Sequence, residues 1–234
     1  MLISIDGIDG CGKSTTAHNV FNKLNVNQEF SVFLIDKKAI RDNANDFGLM
    51  NREYFNSLSY LSWEYTNNHD YSTIPIKSWI YLQSAWFTYV YDSILIKMQP
   101  YDIVLIDGWL YKLFARMMVT SKDCYNFILN IVKTIPHPDM SIFLDLKSEK
   151  AWERKKGHFN DCELGILNDS KSYYANLNDK RSQFIRFQDM VRVNLIKLFS
   201  YTSYITIDNN CHSEENVCCV VYDVIKNNLH VTQK

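Results

Sequence analysis

Glycine and proline are scarce in this chain, seven and four in 234 residues. There is no Pro/Gly/Ser linker, internal repeat or low-complexity tail, which argues for one domain rather than several joined by flexible segments. A basic excess is also missing: 25 lysines and arginines face 26 aspartates and glutamates, for a formal net charge of −1. A protein that grips duplex nucleic acid through many phosphates carries a basic surplus, so any cationic patch here has to be local. The six cysteines (Cys11, Cys124, Cys162, Cys211, Cys218, Cys219) form no C-x-x-C pair and fit no zinc spacing. They read as reduced thiols of a cytoplasmic protein. The opening segment Met1–Asp6 lacks the basic start and apolar core of a signal peptide. The longest apolar-rich stretch, residues 79–98, contains Gln83, Thr88, Asp92 and Lys97, which argues against a membrane span.

What is present is enough apolar material, 47% of residues, for a sizeable core. Five short β-branched runs recur with helical stretches between them: Leu2–Asp6, Ser31–Asp36, Ile103–Asp107, Ser141–Leu146 and Ser203–Asp208. Continuous apolar strands alternating with helices predict an α/β fold, a five-stranded parallel sheet with helices on both faces. Ligands of such sheets bind beyond the carboxyl ends of the strands, where four of these runs place an aspartate. Helices are expected at Lys13–Leu24, Ser78–Met98, Leu110–Val119, Lys122–Thr134, Ser148–Lys156, within Ser170–Phe199, and at Ser213–Asn228 with Ser213 as N-cap. Residues 37–77, rich in Asn, Tyr and Ser, read as the least regular stretch, an acceptor-side insertion on a single domain spanning 1–234. Residues 155–172 read as a lid-like segment.

Three of the seven glycines fall in one motif. Gly7-Ile8-Asp9-Gly10-Cys11-Gly12-Lys13-Ser14-Thr15 matches G-x-x-x-x-G-K-[ST], after a predicted strand and opening a predicted helix. Gly7, Gly10 and Gly12 let backbone N–H groups, Cys11's included, converge on phosphate oxygens, and the helix N-terminus adds its positive end. Lys13 supplies a charge to the β/γ-phosphates, Ser14 a hydroxyl to Mg²⁺, and Thr15 a contact to the α-phosphate. The motif predicts a P-loop that binds ATP with Mg²⁺.

From Ile3 to Thr16 the sequence resembles the opening of the thymidylate kinases, whose loop carries an acidic residue where Asp9 stands. Further segments are similar in order and spacing: Ile103–Asp107, Pro138–Leu146 with Ala151–Arg154, Phe187–Arg192, and Tyr204–Asp208 with Ser213–Val217. The resemblance implies a P-loop kinase fold with a helical insertion and lid, and transfer of the γ-phosphoryl group of ATP to a nucleoside monophosphate, dTMP or a relative. It also implies that the loop at Asn209 lies by the adenine ring, and it places Asp9 toward the acceptor. Members of the family are often dimeric, and the helix at 79–98 would be a place for a second copy. The chain departs from the family where Asp-Arg-Tyr/Phe reads Asp107-Gly108-Trp109, where an upstream Asp-Arg pair reads Ala85-Trp86, and where Arg-Glu-Pro reads Lys37-Lys38-Ala39. The arginines expected on an acceptor phosphate are therefore absent, and Lys37, Lys38, Lys112 and Arg116 are the cations left to replace them.

The remaining roles follow from residue type. Asp107, at a strand end, suits a Mg²⁺ ligand or a base toward the acceptor; as a structural group it would cap the following helix. Asp9 suits a hydroxyl ligand or nucleophile-orienting group. Arg154, with Lys155 and Lys156, suits the charge that develops on the transferred phosphoryl. The stripe Arg181, Phe184, Gln188, Arg192 could face the nucleotide. Trp109 and Tyr111, and one or two aromatics of the 79–91 helix, could stack on a base. Two other functions stay open on these residues: a kinase of a hydroxyl acceptor (a nucleoside, a modified nucleotide within DNA, or a small metabolite), and an ATP-binding regulator without catalysis.

Overall fold

A computed structural model describes residues 1–27, 29–42, 47–49, 51–65, 74–98, 100–165 and 179–232. Its centre is a five-stranded sheet of β1 (Leu2–Asp6), β2 (Val32–Asp36), β3 (Ile103–Asp107), β4 (Met140–Asp145) and β5 (Tyr204–Asp208), in the order β2-β3-β1-β4-β5. Every pairing is parallel. The four-residue-plus apolar runs make this possible, because helices cover both faces and no strand needs a polar side. Ile3, Ile5, Leu105, Ile106, Ile142 and Leu144 are sealed from solvent.

The register brings the strand ends level: Asp36 pairs with Asp107, Ile5 with Asp107, and Asp145 with Asp208. A row of carboxylates therefore borders the carboxyl edge of the sheet, with the phosphate loop leaving from its central strand.

The helices are α1 (Lys13–Asn27), α2 (Lys37–Asp42), α3 (Arg52–Ser59), α4 (Ile76–Val90), α5 (Tyr111–Thr120), α6 (Tyr125–Val132), α7 (Ser148–Arg154), α8 (Asp161–Leu164), α9 (Lys180–Phe199) and α10 (Glu214–Thr232). α5 packs along α9, and the Asn194 amide crosses between them to the Ala115 carbonyl at 3.2 Å. α1 packs against α10. Ser213 caps α10 as its sequence predicts, its hydroxyl accepting from Asn216 N at 3.3 Å.

The described part of 37–77 is more regular than its composition suggests. β2 runs directly into α2, and α3 continues into a π-helical turn at Tyr60–Glu64. Asn51 caps α3 by accepting from Tyr54 N at 3.1 Å, and Phe55 and Leu58 are buried beneath it. Tertiary burial has overridden the weak helix propensity of Asn, Tyr and Ser. The helix expected over 78–98 is α4 followed by a π turn at Tyr91–Leu95 and a 3₁₀ turn at Ile96–Met98. Of the lid-like segment, 155–165 is described and 166–172 lies outside the described residues. No described helix is long and apolar enough to cross a membrane.

Candidate active site

The phosphate loop turns out of β1 at Gly7. A Cβ there would stand 2.5 Å from Cys11 Sγ and 2.8 Å from the Leu144 carbonyl, so no side chain fits. At Gly12 the backbone is left-handed (φ +89°), yet a Cβ would meet nothing within 4 Å. Gly12 lines the cleft, so the open space beside it is space a bound phosphate would need. α1 begins directly after, and its first-turn N–H groups open on a cleft of about 640 Å³.

Lys13 arches back over the loop to the Ile8 carbonyl at 2.8 Å, with Cys11 Sγ at 3.7 Å. Burial lowers its proton affinity, but the ionisable groups around it, Cys11 with Asp9, Asp107 and Asp6, more than reverse that. The ammonium stays charged. Cys11 is buried and its thiol is pushed up, so it fills space under the loop and is no nucleophile. Ser14 and Thr15 are exposed and line the cleft.

Asp9, almost fully buried in the loop, is the most heavily bonded carboxylate of the site. Lys112 Nζ donates to Oδ1 at 2.7 Å, Arg116 forms a short bond to Oδ2, and Gln188 Nε2 donates to Oδ2 at 2.9 Å. Burial alone would raise its pKa, but Arg116, then Lys112 and Lys13, hold it well below the usual carboxylate range. Lys112 and Arg116 are four residues apart on α5 and so share a face. The carboxylate is occupied by three donors and anchors two cations.

Lys37, at the start of α2, donates to the Trp109 carbonyl at 2.9 Å. Burial, with Lys112 nearby, pulls its pKa down to about 8, against the opposing pull of Asp6 and Asp107. Asp6 accepts from Trp109 N at 3.1 Å through Oδ1, while its buried Oδ2 has no partner among the described residues. Burial raises its pKa. Asp107 ends β3 beside this group, near enough that it acts on both Lys13 and Lys37. Lys38 is exposed. Of the four replacement cations read from the sequence, three thus gather around Asp9 and the strand ends.

Arg154 leaves the end of α7 and reaches the loop after β5. It donates to the Asn209 carbonyl at 2.8 Å and to its Oδ1 at 3.1 Å. Asn209, buried, donates in turn to the Cys11 carbonyl at 2.7 Å, so this loop braces the phosphate loop from behind. Lys155 forms both contacts of a pair with Glu163, at 3.0 and 3.1 Å, at the cleft wall.

The stripe on α9 splits four ways. Phe184 is core, Gln188 reaches Asp9, and Arg192 clamps Asp145 with its second contact at 2.6 Å; Arg181 is exposed. It forms the wall behind the site, not a face toward a nucleotide. Trp109 and Tyr111 are also corrected: both are fully buried, Trp109 donating to the Pro136 carbonyl at 3.1 Å and packing edge-on to Phe87. Neither can stack on a base, because a core of this size needs their rings. His212, Val217 and Glu163 line the cleft and were not singled out from the sequence. Only their nearness to Asn209 and to the lid-like segment hinted at them.

No family model matches the chain. Over 189 residues it is 29% identical to a probable thymidylate kinase of Sulfolobus acidocaldarius, which covers 79% of this chain and 86% of that protein. Its fold is similar to that of the thymidylate kinase of Candida albicans, a protein described as having broad substrate specificity. The TM-score is 0.61 at 19% identity, over 97% of this chain and 91% of the other. That second likeness is one of fold.

Proposed function

We propose that the chain, a divergent relative of the thymidylate kinases, is a P-loop kinase that transfers the γ-phosphoryl group of ATP to a nucleoside monophosphate, dTMP or a close relative. The observation that carries this reading is the surplus of cations around the phosphate loop. Lys13, Lys112 and Arg116 face Asp9, with Lys37 beside Asp6 and Asp107. Two phosphate-bearing ligands meeting there would use such a surplus; a lone ATP would not require the acceptor half of it.

In this reading the loop amides, the α1 N-terminus and Lys13 hold the β/γ-phosphates of ATP, with Arg154 above and Asn209 bracing behind. The acceptor phosphate lies toward Lys112, Arg116 and Lys37, which stand in for the missing arginines. Among the described residues no group of three or more His, Cys, Asp or Glu could hold a metal ion. A cation there would rest on a hydroxyl, a carboxylate and the phosphates it accompanied, as Mg²⁺ can. Ser14 and Asp107 would hold it, and it supplies neutralisation of the phosphate oxygens. The chain's own part is positioning and electrostatics: fixed cations meet charge as it develops, and no covalent intermediate is needed.

A free hydroxyl acceptor fits less well. That reading takes Asp9 or Asp107 as base and an aromatic stacking platform; Asp9 is held by three donors and the rings of Trp109 and Tyr111 are buried, which leaves Asp107 and the 79–91 helix to carry it. The test is ATP consumption against all nucleoside monophosphates, free nucleosides and hydroxymethylated DNA, with Lys13→Ala alongside. Turnover of a monophosphate that falls roughly 10²–10³-fold or more in the variant is expected. Turnover of a nucleoside or DNA alone would replace the reading.

A further inference from the structure

Gln188 sits in the middle of α9, sealed from solvent, and its one carboxamide makes three hydrogen bonds. Oε1 accepts from Asp9 N at 3.2 Å, and Nε2 donates to Asp9 Oδ2 at 2.9 Å and to the Glu163 carbonyl at 2.8 Å. Only this orientation works. A flipped amide would set N–H against N–H at Asp9 and oxygen against two oxygens. Buried groups with every bond made are rigid, and each lost bond leaves an expensive orphan.

The two partners belong to different halves of the site. Asp9 carries the acceptor-side cations. Glu163 is the third residue of α8, and its side chain holds Lys155 at the cleft wall. α8 itself is pressed onto α9 at the neighbouring residue. Leu164 is buried, and a Cβ at Gly165 (φ +73°) would stand 2.6 Å from Phe187 Cδ2. A continuous path therefore runs from Lys112 and Arg116 through Asp9, Gln188 and Glu163 to Lys155.

We propose that Gln188 is a positioning residue that couples the acceptor and ATP sites through this path. The proposal rests on the kinase reading above. An anionic acceptor draws Lys112 and Arg116 away from Asp9. The carboxylate then leans on Gln188, its remaining neutral donor, which fixes the Glu163 carbonyl and with it Lys155 over the ATP cleft. Acceptor and ATP then raise one another's affinity, and linkage makes the effect reciprocal.

The test measures the Kd of a non-hydrolysable ATP analogue with Mg²⁺, with and without the monophosphate that the native protein turns over. The native protein should show tightening of about fivefold or more. In Gln188→Met the ratio should fall to about one, whatever the Kd of the analogue alone. A ratio in Gln188→Met equal to the native one overturns the proposal. Gln188→Leu, which likewise donates nothing and carries no charge, carries the test if the Met variant does not melt cooperatively. A second arm needs no acceptor. Amide hydrogen exchange over 158–165 should quicken in Asp9→Asn, and Asp9→Asn should add nothing further in a Gln188→Met background. Additive effects would mean that no relay exists. Were the native protein to turn over no monophosphate, the kinase reading would fall and this second arm alone would decide the relay.

Discussion

The Asp9 carboxylate, inside the phosphate loop, receives the Lys112 ammonium at 2.7 Å while Arg116 takes its other oxygen. Removing that carboxylate leaves two largely buried cations one helical turn apart with no counter-charge. Breaking a buried pair from one side costs about 3–5 kcal/mol. Asp9→Asn should therefore lower Tm by on the order of 10 °C at neutral pH. The folded pKa of Asp9 is depressed, so its contribution is complete above the ordinary value of 3.8 and is lost as pH falls through the folded value. Thermal melts of native and variant should converge on acidification below pH 4. Equal Tm values at pH 7 would show that Asp9 anchors nothing.

Lys37 loses its proton at about 8 in the folded protein. If it helps to hold the acceptor's phosphate, acceptor KM should rise as pH passes upward through 8, while ATP KM stays flat. Lys37→Arg, whose charge persists, should remove the rise in that window. The effect on stability has the opposite sign. Between 8 and the ordinary 10.5 the unfolded chain holds more protons, so folding becomes more favourable as pH rises. A native acceptor KM without change from pH 7 to 9.5 would remove Lys37 from the acceptor site.

The strands and the phosphate loop were readable because their signals are local. All five apolar runs became strands within a residue of their expected bounds, and the glycine spacing of the loop encodes its own geometry. The cationic side of the site was only half readable. Lys37, Lys112 and Arg116 could be named as replacement cations, but that Lys112 and Arg116 meet at Asp9, with Lys37 beside Asp6 and Asp107, depends on packing between residues far apart in sequence. The aromatics misled for a similar reason. A tryptophan beside a strand-end aspartate suits a binding platform or a core equally, and burial decides it. Gln188 looked like part of a stripe, since nothing in the sequence says that its amide reaches residue 9.

At Gly12 the cost of a side chain can be separated from the cost to the fold. An alanine Cβ there touches nothing, so the penalty is the left-handed backbone, about 1–2 kcal/mol. Gly12→Ala should fold with Tm lowered by a few degrees and yet weaken ATP by tenfold or more, because the methyl group occupies the space over the loop. Gly7→Ala, meeting Cys11 Sγ and the Leu144 carbonyl, should instead fail in stability first. Binding of ATP by calorimetry, set beside the melts, distinguishes the two. Native-like ATP affinity in Gly12→Ala would mean that phosphates do not lie on this loop.

Trp109 tests whether the acceptor is read by its ring or by its phosphate. Its backbone serves the site, donating to Asp6 and accepting from Lys37, while its indole is buried against Phe87 and bonded to the Pro136 carbonyl. Trp109→Phe keeps the backbone and most of the packing but loses the indole bond, a cost of about 1 kcal/mol. Trp109→Ala opens a cavity and should cost about 3–5 kcal/mol. If the ring is core, the Phe variant should show a small drop in Tm and an acceptor KM within about twofold of native, since charge and backbone on the acceptor side are intact. A tenfold rise in acceptor KM with an unchanged Tm would mean that the indole touches the acceptor, and that the base contributes more to recognition than the cations around Asp9.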